Sequence, residues 1–283
     1  MRFVPLTELA QDASKSGYAL PGFCVWSSEA METVLCVAEQ LRSPVVLMNG
    51  PGEFPLLKPP AMAATAYGLK KRYSIPAALH LDHGNSMELV RECIAAGYTS
   101  VMLDLSTMPF EEHVKGMKEV VALAHSRGIS VEGEIGTVGS GDAAITEGTG
   151  ESVFTDAGQA QRYVTETGVD LLAISVGNVH GAYKGTPNLD FALLKRISDI
   201  VSTPLVLHGG SGIPETQVKK AIALGIAKIN VGTELMTTIR ESLSSQWSSS
   251  KNLWFPLALS LAMKNMGKVV EKWINYVGSA GKA

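Results

Sequence analysis

Eight short apolar runs recur along the chain, and helical patterns fill the spaces between them. The runs are 19–25, 44–48, 76–81, 99–105, 129–135, 171–176, 203–208 and 226–231. Several are apolar almost throughout, as parallel strands covered on both faces must be. Between them, 28–42 places Met31, Val34, Leu35 and Ala38 on one helical face, and 110–127, 156–167, 188–200 and 214–224 read similarly. Ser28, Ser86, Asp156 and Asn188 are the candidate N-caps. A helix, a glycine and then a strand recur at Gly97, Gly128, Gly168 and Gly225, the glycine matching a left-handed C-cap. Pro44, Pro76 and Pro204 open three other runs, where proline costs no ladder bond. Eight β-α units without a linker predict a closed (β/α)8 TIM barrel, with 1–283 as a single domain. An open doubly wound sheet is the alternative. The segment 250–278 reads as a C-terminal helical extension whose apolar set is Trp254, Leu257, Leu261, Val269, Val270 and Trp273. That set predicts packing on the barrel or on a partner subunit.

Composition narrows the function. With 24 basic and 27 acidic residues the formal charge is −3, which argues against nucleic-acid binding driven by bulk charge. No apolar run approaches the roughly 18 residues of a membrane span. The first seventeen residues, MRFVPLTELAQDASKSG, lack the apolar core of a signal peptide. Cys24, Cys36 and Cys93 are odd in number and form no CxxC pair, so a reducing, cytoplasmic location is expected.

Polar residues gather where the strands end, the face on which barrels of this kind place their chemistry. Run three ends in His80-Leu81-Asp82-His83, run four near Asp104, and run five carries Glu132 and Glu134. His180, His208 and Asn230 follow runs six to eight. Each histidine alone reads as a structural one. His83, His180 and His208 at equivalent rim positions instead match three imidazoles around a catalytic zinc with one open position. Strand alternation points His80 away from His83 and leaves it a supporting role. His113 and His125 fall in a helical segment that reads as surface. Asp82 is either a partner of a metal ligand or a general acid/base. Glu134 either reaches the metal or pairs with a basic neighbour. HGGSG (208–212) and NVGT (230–233) each link a strand to a helix and carry a hydroxyl, Ser211 or Thr233. Backbone N–H groups at such glycine-rich helix starts bind phosphate, and Lys184 is a candidate cation beside them. The segment 136–153 is long, Gly-rich and weakly patterned, as functional or disordered loops are.

Together, LHLDHG (79–84), SVMLDLS (100–106), VEGEIG (131–136), GNVHGAYKG (177–185), LHGGSG (207–212) and KINVGTEL (228–235) resemble the class II, metal-dependent fructose- and tagatose-bisphosphate aldolases, over nearly the whole chain. The likeness is nearest to the tagatose-bisphosphate-like branch. It implies that His83, His180 and His208 hold a catalytic Zn²⁺, with Glu134 and Asp104 close by, and that Asp82 moves the proton of the C4 hydroxyl during retro-aldol cleavage. It further implies that Gly181, Lys184, Gly209, Gly210, Ser211, Asn230, Val231, Gly232 and Thr233 hold dihydroxyacetone phosphate. Zn²⁺ as a Lewis acid on the C2 and C3 oxygens makes a lysine Schiff base unnecessary. A monovalent cation ordering the phosphate loops, and a homo-oligomer (dimer or tetramer), are further expectations.

The departures from the family pattern cluster away from the metal. Cys24 stands where an asparagine is frequent, and Gly50 lies near a frequent serine or threonine. The mobile loop reads GSGDAA, which makes Asp142 the candidate acid for the second proton transfer and Glu147 a second one. The donor half is therefore expected to be intact and the acceptor half altered. Tagatose or fructose 1,6-bisphosphate and 6-deoxy-6-sulfofructose 1-phosphate are the candidate substrates. Trp26 is read either as lining the altered end or as core. Two other functions fit the same barrel: a non-catalytic accessory subunit of an aldolase complex, and a metal-dependent sugar-phosphate hydrolase.

Overall fold

The computed structural model describes residues 3–139, 152–250 and 253–283. All eight apolar runs form strands: β1 (Leu20–Cys24), β2 (Val45–Asn49), β3 (Ala77–Gly84), β4 (Ser100–Leu103), β5 (Ser130–Ile135), β6 (Leu171–Ile174), β7 (Leu205–Leu207) and β8 (Ile226–Val231). They pair in parallel in chain order, and β8 closes on β1. Helix α1 (Leu6–Ser16) precedes β1. Helices α2 (Ser28–Leu41), α3 (Pro59–Lys70), α4 (Met87–Ala96), α5 (Phe110–His125), α6 (Ala157–Thr167), α7 (Phe191–Ile200), α8 (Glu215–Ala223) and α9 (Thr233–Ser249) follow the strands in turn, and α10 (Phe255–Tyr276) ends the chain. The fold is a (β/α)8 barrel with a C-terminal helical extension.

Every strand residue is buried, because each strand meets the barrel interior on one face and the helical ring on the other. The outward side chains join the helices in one large apolar cluster. The inward ones divide by height. Leu20, Val46, Ala78, Leu171, Ala173 and Val206 form an apolar lower interior. Leu6, Leu9, Ala10 and Ala13 of α1 pack against it and plug the N-terminal mouth. Two bonds fix that plug: Val4 N–H donates to Ala77 O and Thr7 N–H to Ser130 Oγ, at the first residues of β3 and β5. From the level of Glu132 and Lys228 upward, polar side chains enter the interior beside Met48 and Cys24.

Gly97, Gly128, Gly168 and Gly225 all have positive φ, as the helix-to-strand turns require. Ser86 and Asp156 cap α4 and α6. Two caps differ from expectation. Ser27, not Ser28, accepts the Ala30 N–H. Asp190, not Asn188, caps α7, and Leu189 before it is buried with its N–H on Gln217 Oε1. The C-terminal apolar set splits. Val270 and Trp273 are buried, whereas Trp254, Leu257 and Leu261 face solvent with Trp247 and Phe255. Trp26 is partly buried and packs against the outer core. Among the described residues, no helix is long and apolar enough to cross a membrane.

Candidate active site

The polar upper interior is built by strand alternation plus one break in it. His80 and Asp82 of β3, and Glu132 and Glu134 of β5, lie two residues apart on inward faces, as Lys228 and Asn230 do on β8. His83 would by alternation turn outward. Its backbone is left-handed, with φ +43°, and the β3–β4 register shifts between Leu81 and Gly84. That irregularity turns the His83 ring into the site, so both His80 and His83 face the interior despite their odd spacing.

The ring of His83 meets those of His180 and His208 edge to face, with centroids 4.8 and 4.7 Å away. One nitrogen from each of the three histidines lies within 4.8 Å of the others. Hydrogen bonds fix two tautomers. His83 Nδ1 lies 2.8 Å from Asp104 Oδ2, and His208 Nε2 lies 2.8 Å from Glu132 Oε1. Ionised carboxylates only accept, so both of those nitrogens carry hydrogens. The remaining nitrogens, His83 Nε2 and His208 Nδ1, face each other at 2.8 Å. Two opposed lone pairs at that distance need a proton or a metal cation between them. Among the described residues His180 Nδ1 and Glu134 Oε2 are buried without a hydrogen-bond partner, and Glu134 Oε2 is 3.8 Å from His208 Nδ1. The donor set of three imidazoles and a nearby carboxylate therefore fits a zinc ion.

The charges around the trio reinforce this. Burial opposes ionisation of Asp82, but His80, His83, His208 and Lys228 outweigh it and hold the carboxyl well below its usual range. Burial likewise opposes Asp104, which His83 and Ser106 hold below its usual range. Glu132, buried beside Lys228 and His80, is held at about 2. Glu134 differs: burial prevails and raises it. At His83, burial is overcome by Asp104, Asp82 and Glu134, which lift the imidazole to about 10. Burial and the neighbouring His83 and His208 push His180 well down. The surrounding carboxylates thus favour a cation, proton or metal, where His83 and His208 meet.

Beside the trio, a cleft reaches from Asp82 and His180 to Gly181, Gly209, Ser211, Asn230, Gly232 and Thr233. Asn230 Nδ2 donates to Asp82 Oδ1 at 3.3 Å and orients it. Gly209 has φ +66°, and a Cβ there would lie 2.0 Å from Val179 O, so only glycine allows this loop to meet the segment carrying His180. Gly210 N–H is engaged by Asn230 O, which leaves anion contact in this loop to its neighbours. Ser211 Oγ accepts the Glu234 N–H. Gly232 and Thr233 open α9, whose N-terminus meets the cleft and favours an anion. The Val231 side chain belongs to the outer core, so only its backbone can serve a ligand. Lys184 is exposed on the loop that carries Gly181. Asp142 and Glu147 lie outside the described residues.

Cys24 also lines the cleft. A Cβ at Gly50 would lie 2.3 Å from Asp82 O, which excludes a larger residue there. His125 is partly exposed beside Asp170, as its segment suggests. His113 corrects the surface reading: it is buried, bonded to Tyr163 Oη at 2.9 Å, and burial lowers it to about 4. The site also contains a Glu132–Lys228 pair that spacing does not disclose, since the two lie on different strands. The only signal is two charged residues in fully buried strands.

The fructose-bisphosphate aldolase class-II family model matches residues 4–282. The crystal structure of the YdjI aldolase from Escherichia coli K12 is similar at 34% identity and TM-score 0.88, covering 100% of both chains. A fructose-1,6-bisphosphate aldolase candidate from Coccidioides immitis is 28% identical with TM-score 0.89, covering 97% of this chain and 96% of its own. Fructose-bisphosphate aldolase from Campylobacter jejuni shares the fold at 22% identity and TM-score 0.81, covering 98% and 95%. The chain belongs to the class II fructose-bisphosphate aldolase family and is an aldolase, a carbon–carbon lyase.

Proposed function

We propose that this enzyme reversibly cleaves a ketose 1-phosphate between C3 and C4 to dihydroxyacetone phosphate and an aldehyde, with Zn²⁺ held by His83, His180 and His208 and approached by Glu134. The observation that carries the reading is the 2.8 Å approach of His83 Nε2 and His208 Nδ1, with His180 Nδ1 and Glu134 Oε2 lacking a partner among the described residues beside them. When bound, Zn²⁺ supplies Lewis-acid stabilisation of the charge that cleavage leaves beside the C2 carbonyl. Asp82, ionised and oriented by Asn230, accepts the C4 hydroxyl proton. The C4 oxygen becomes the aldehyde carbonyl as C3–C4 breaks. Asp142 returns a proton to C3.

Gly209, Ser211 and the 230–233 turn, with Gly181 and Lys184, hold the phosphate, while Gly210, its N–H on Asn230 O, shapes the loop between them. That remote grip orients the reacting carbons and supplies binding energy away from them. A monovalent cation at these loops is part of the same reading, tested by dependence on K⁺ or Na⁺. Tagatose 1,6-bisphosphate, fructose 1,6-bisphosphate and 6-deoxy-6-sulfofructose 1-phosphate are the proposed substrates. They share the donor half and differ at C4 or C6. The chain works as one domain in the cytoplasm, in keeping with three free thiols. The exposed Trp247, Trp254, Phe255, Leu257 and Leu261 support a homo-oligomer. A coupled assay for dihydroxyacetone phosphate, over ketose 1-phosphates varied at C4 and C6, tests the reading. Chelator-sensitive release is the expected result. No release from any of them by zinc-loaded protein overturns it.

A further inference from the structure

His208 is held from two sides. Asn178 Nδ2 donates to its carbonyl at 3.1 Å, and Glu132 Oε1 accepts its Nε2 hydrogen at 2.8 Å. The grip of Glu132 depends on a second contact. Its Oε2 lies 2.9 Å from Lys228 Nζ, and its Oε1 lies 3.3 Å from the same atom. All three side chains are wholly excluded from solvent. The pairing of Val206 with Lys228 places the lysine one layer below His208, and the ion pair crosses the barrel interior from β8 to β5.

Two features separate this pair from a generic buried ion pair. Exchange of a buried pair for apolar residues is often harmless to stability, so stability alone gives little reason for it here. Its geometry also divides the carboxylate's work. One oxygen faces chiefly the lysine, and the other faces the ring hydrogen of His208. Glu134, two residues further along the same strand, has no basic side chain hydrogen-bonded to it among the described residues and keeps an unbonded oxygen near His208 Nδ1. Adjacent inward glutamates therefore have different partners, and lysine contact distinguishes them. A charged acceptor holds an imidazole N–H more firmly than a neutral one, and such outer partners set the tautomer and direction of a metal-binding histidine.

We infer that Glu132 and Lys228 are positioning residues for His208: the lysine anchors the glutamate, and the glutamate fixes hydrogen on Nε2 so that the Nδ1 lone pair faces His83 and His180. This rests on the proposed reading of the three histidines as zinc ligands. Neither residue touches substrate.

The test compares wild type with Glu132→Asp, which keeps the charge beside Lys228 but withdraws it from His208, and with the neutral double variant Glu132→Gln/Lys228→Met. His208→Ala is the reference. Zinc affinity is read by competition with a chromogenic chelator, and the His208 tautomer of the apo-protein by long-range ¹H–¹⁵N spectra. Circular dichroism identifies which variants fold, and one folded variant suffices. The expected result is zinc affinity lowered about 10–100-fold and loss of the single Nε2–H tautomer. Wild-type affinity and tautomer in a folded variant, with His208→Ala weakened, overturns the positioning role alone. Unchanged zinc affinity in His208→Ala overturns the ligand reading, and this inference with it.

Discussion

The lower and upper halves of the barrel interior are built from the same eight strands and the same inward alternation, yet they are stabilised in different ways. Below, Leu20, Val46, Leu171 and Val206 fill the interior with apolar volume, and α1 closes the mouth. Above, His80, Asp82, Glu134 and Asn230 occupy inward places, and Glu132 and Lys228 stand at the boundary, paired in register with Leu171 and Val206. Burying so many polar groups costs free energy unless each finds a partner. Most do. Among the described residues six buried side-chain atoms lack one, and four of them (His80 Nε2, Glu134 Oε2, His180 Nδ1 and Asn230 Oδ1) lie in or beside the upper interior. The lower half is a core, whereas the upper half is a set of positioned donors held by that core.

This contrast can be broken from either side. The largest effect is expected above: Asp82→Ala should lower kcat about 10²–10⁴-fold, the usual loss on removing a general acid or base. Zinc content should stay close to wild type. A kcat within threefold of wild type would remove Asp82 from the proton transfer. Below, Leu171→Ala removes a wholly buried side chain from the interior layer. Denaturant unfolding should show a loss of about 2–5 kcal/mol, with KM of the remaining folded enzyme unchanged. A changed KM with unchanged stability would show that the two halves are not separate.

The legibility of the sequence follows the same division. The strands are readable because continuous burial demands continuous apolar character, and their glycine and proline boundaries have backbone causes. The three histidines, Asp82 and both glycine loops are readable because a barrel gathers all its strand ends on one face. What could not be read depends on contacts between distant segments. Burial of His113 comes from its contact with Tyr163, fifty residues away. The Glu132–Lys228 pair joins residues 96 apart across the interior. Local backbone geometry hides the inward turn of His83, since a left-handed residue at a register shift leaves no periodic trace. The first seventeen residues read only as lacking a signal-peptide core, and closure of the barrel is what makes α1 a plug. At the C-terminus, apolar character alone did not separate Trp273, which is buried, from Trp254, which is exposed.

The most direct test of the zinc centre is a crystal structure with anomalous data collected at the zinc edge. We expect one strong peak with nitrogen ligands from His83, His180 and His208 at about 2.0–2.1 Å. A peak bound elsewhere, or no peak in protein that releases dihydroxyacetone phosphate, would contradict the assignment of the three histidines as the metal centre.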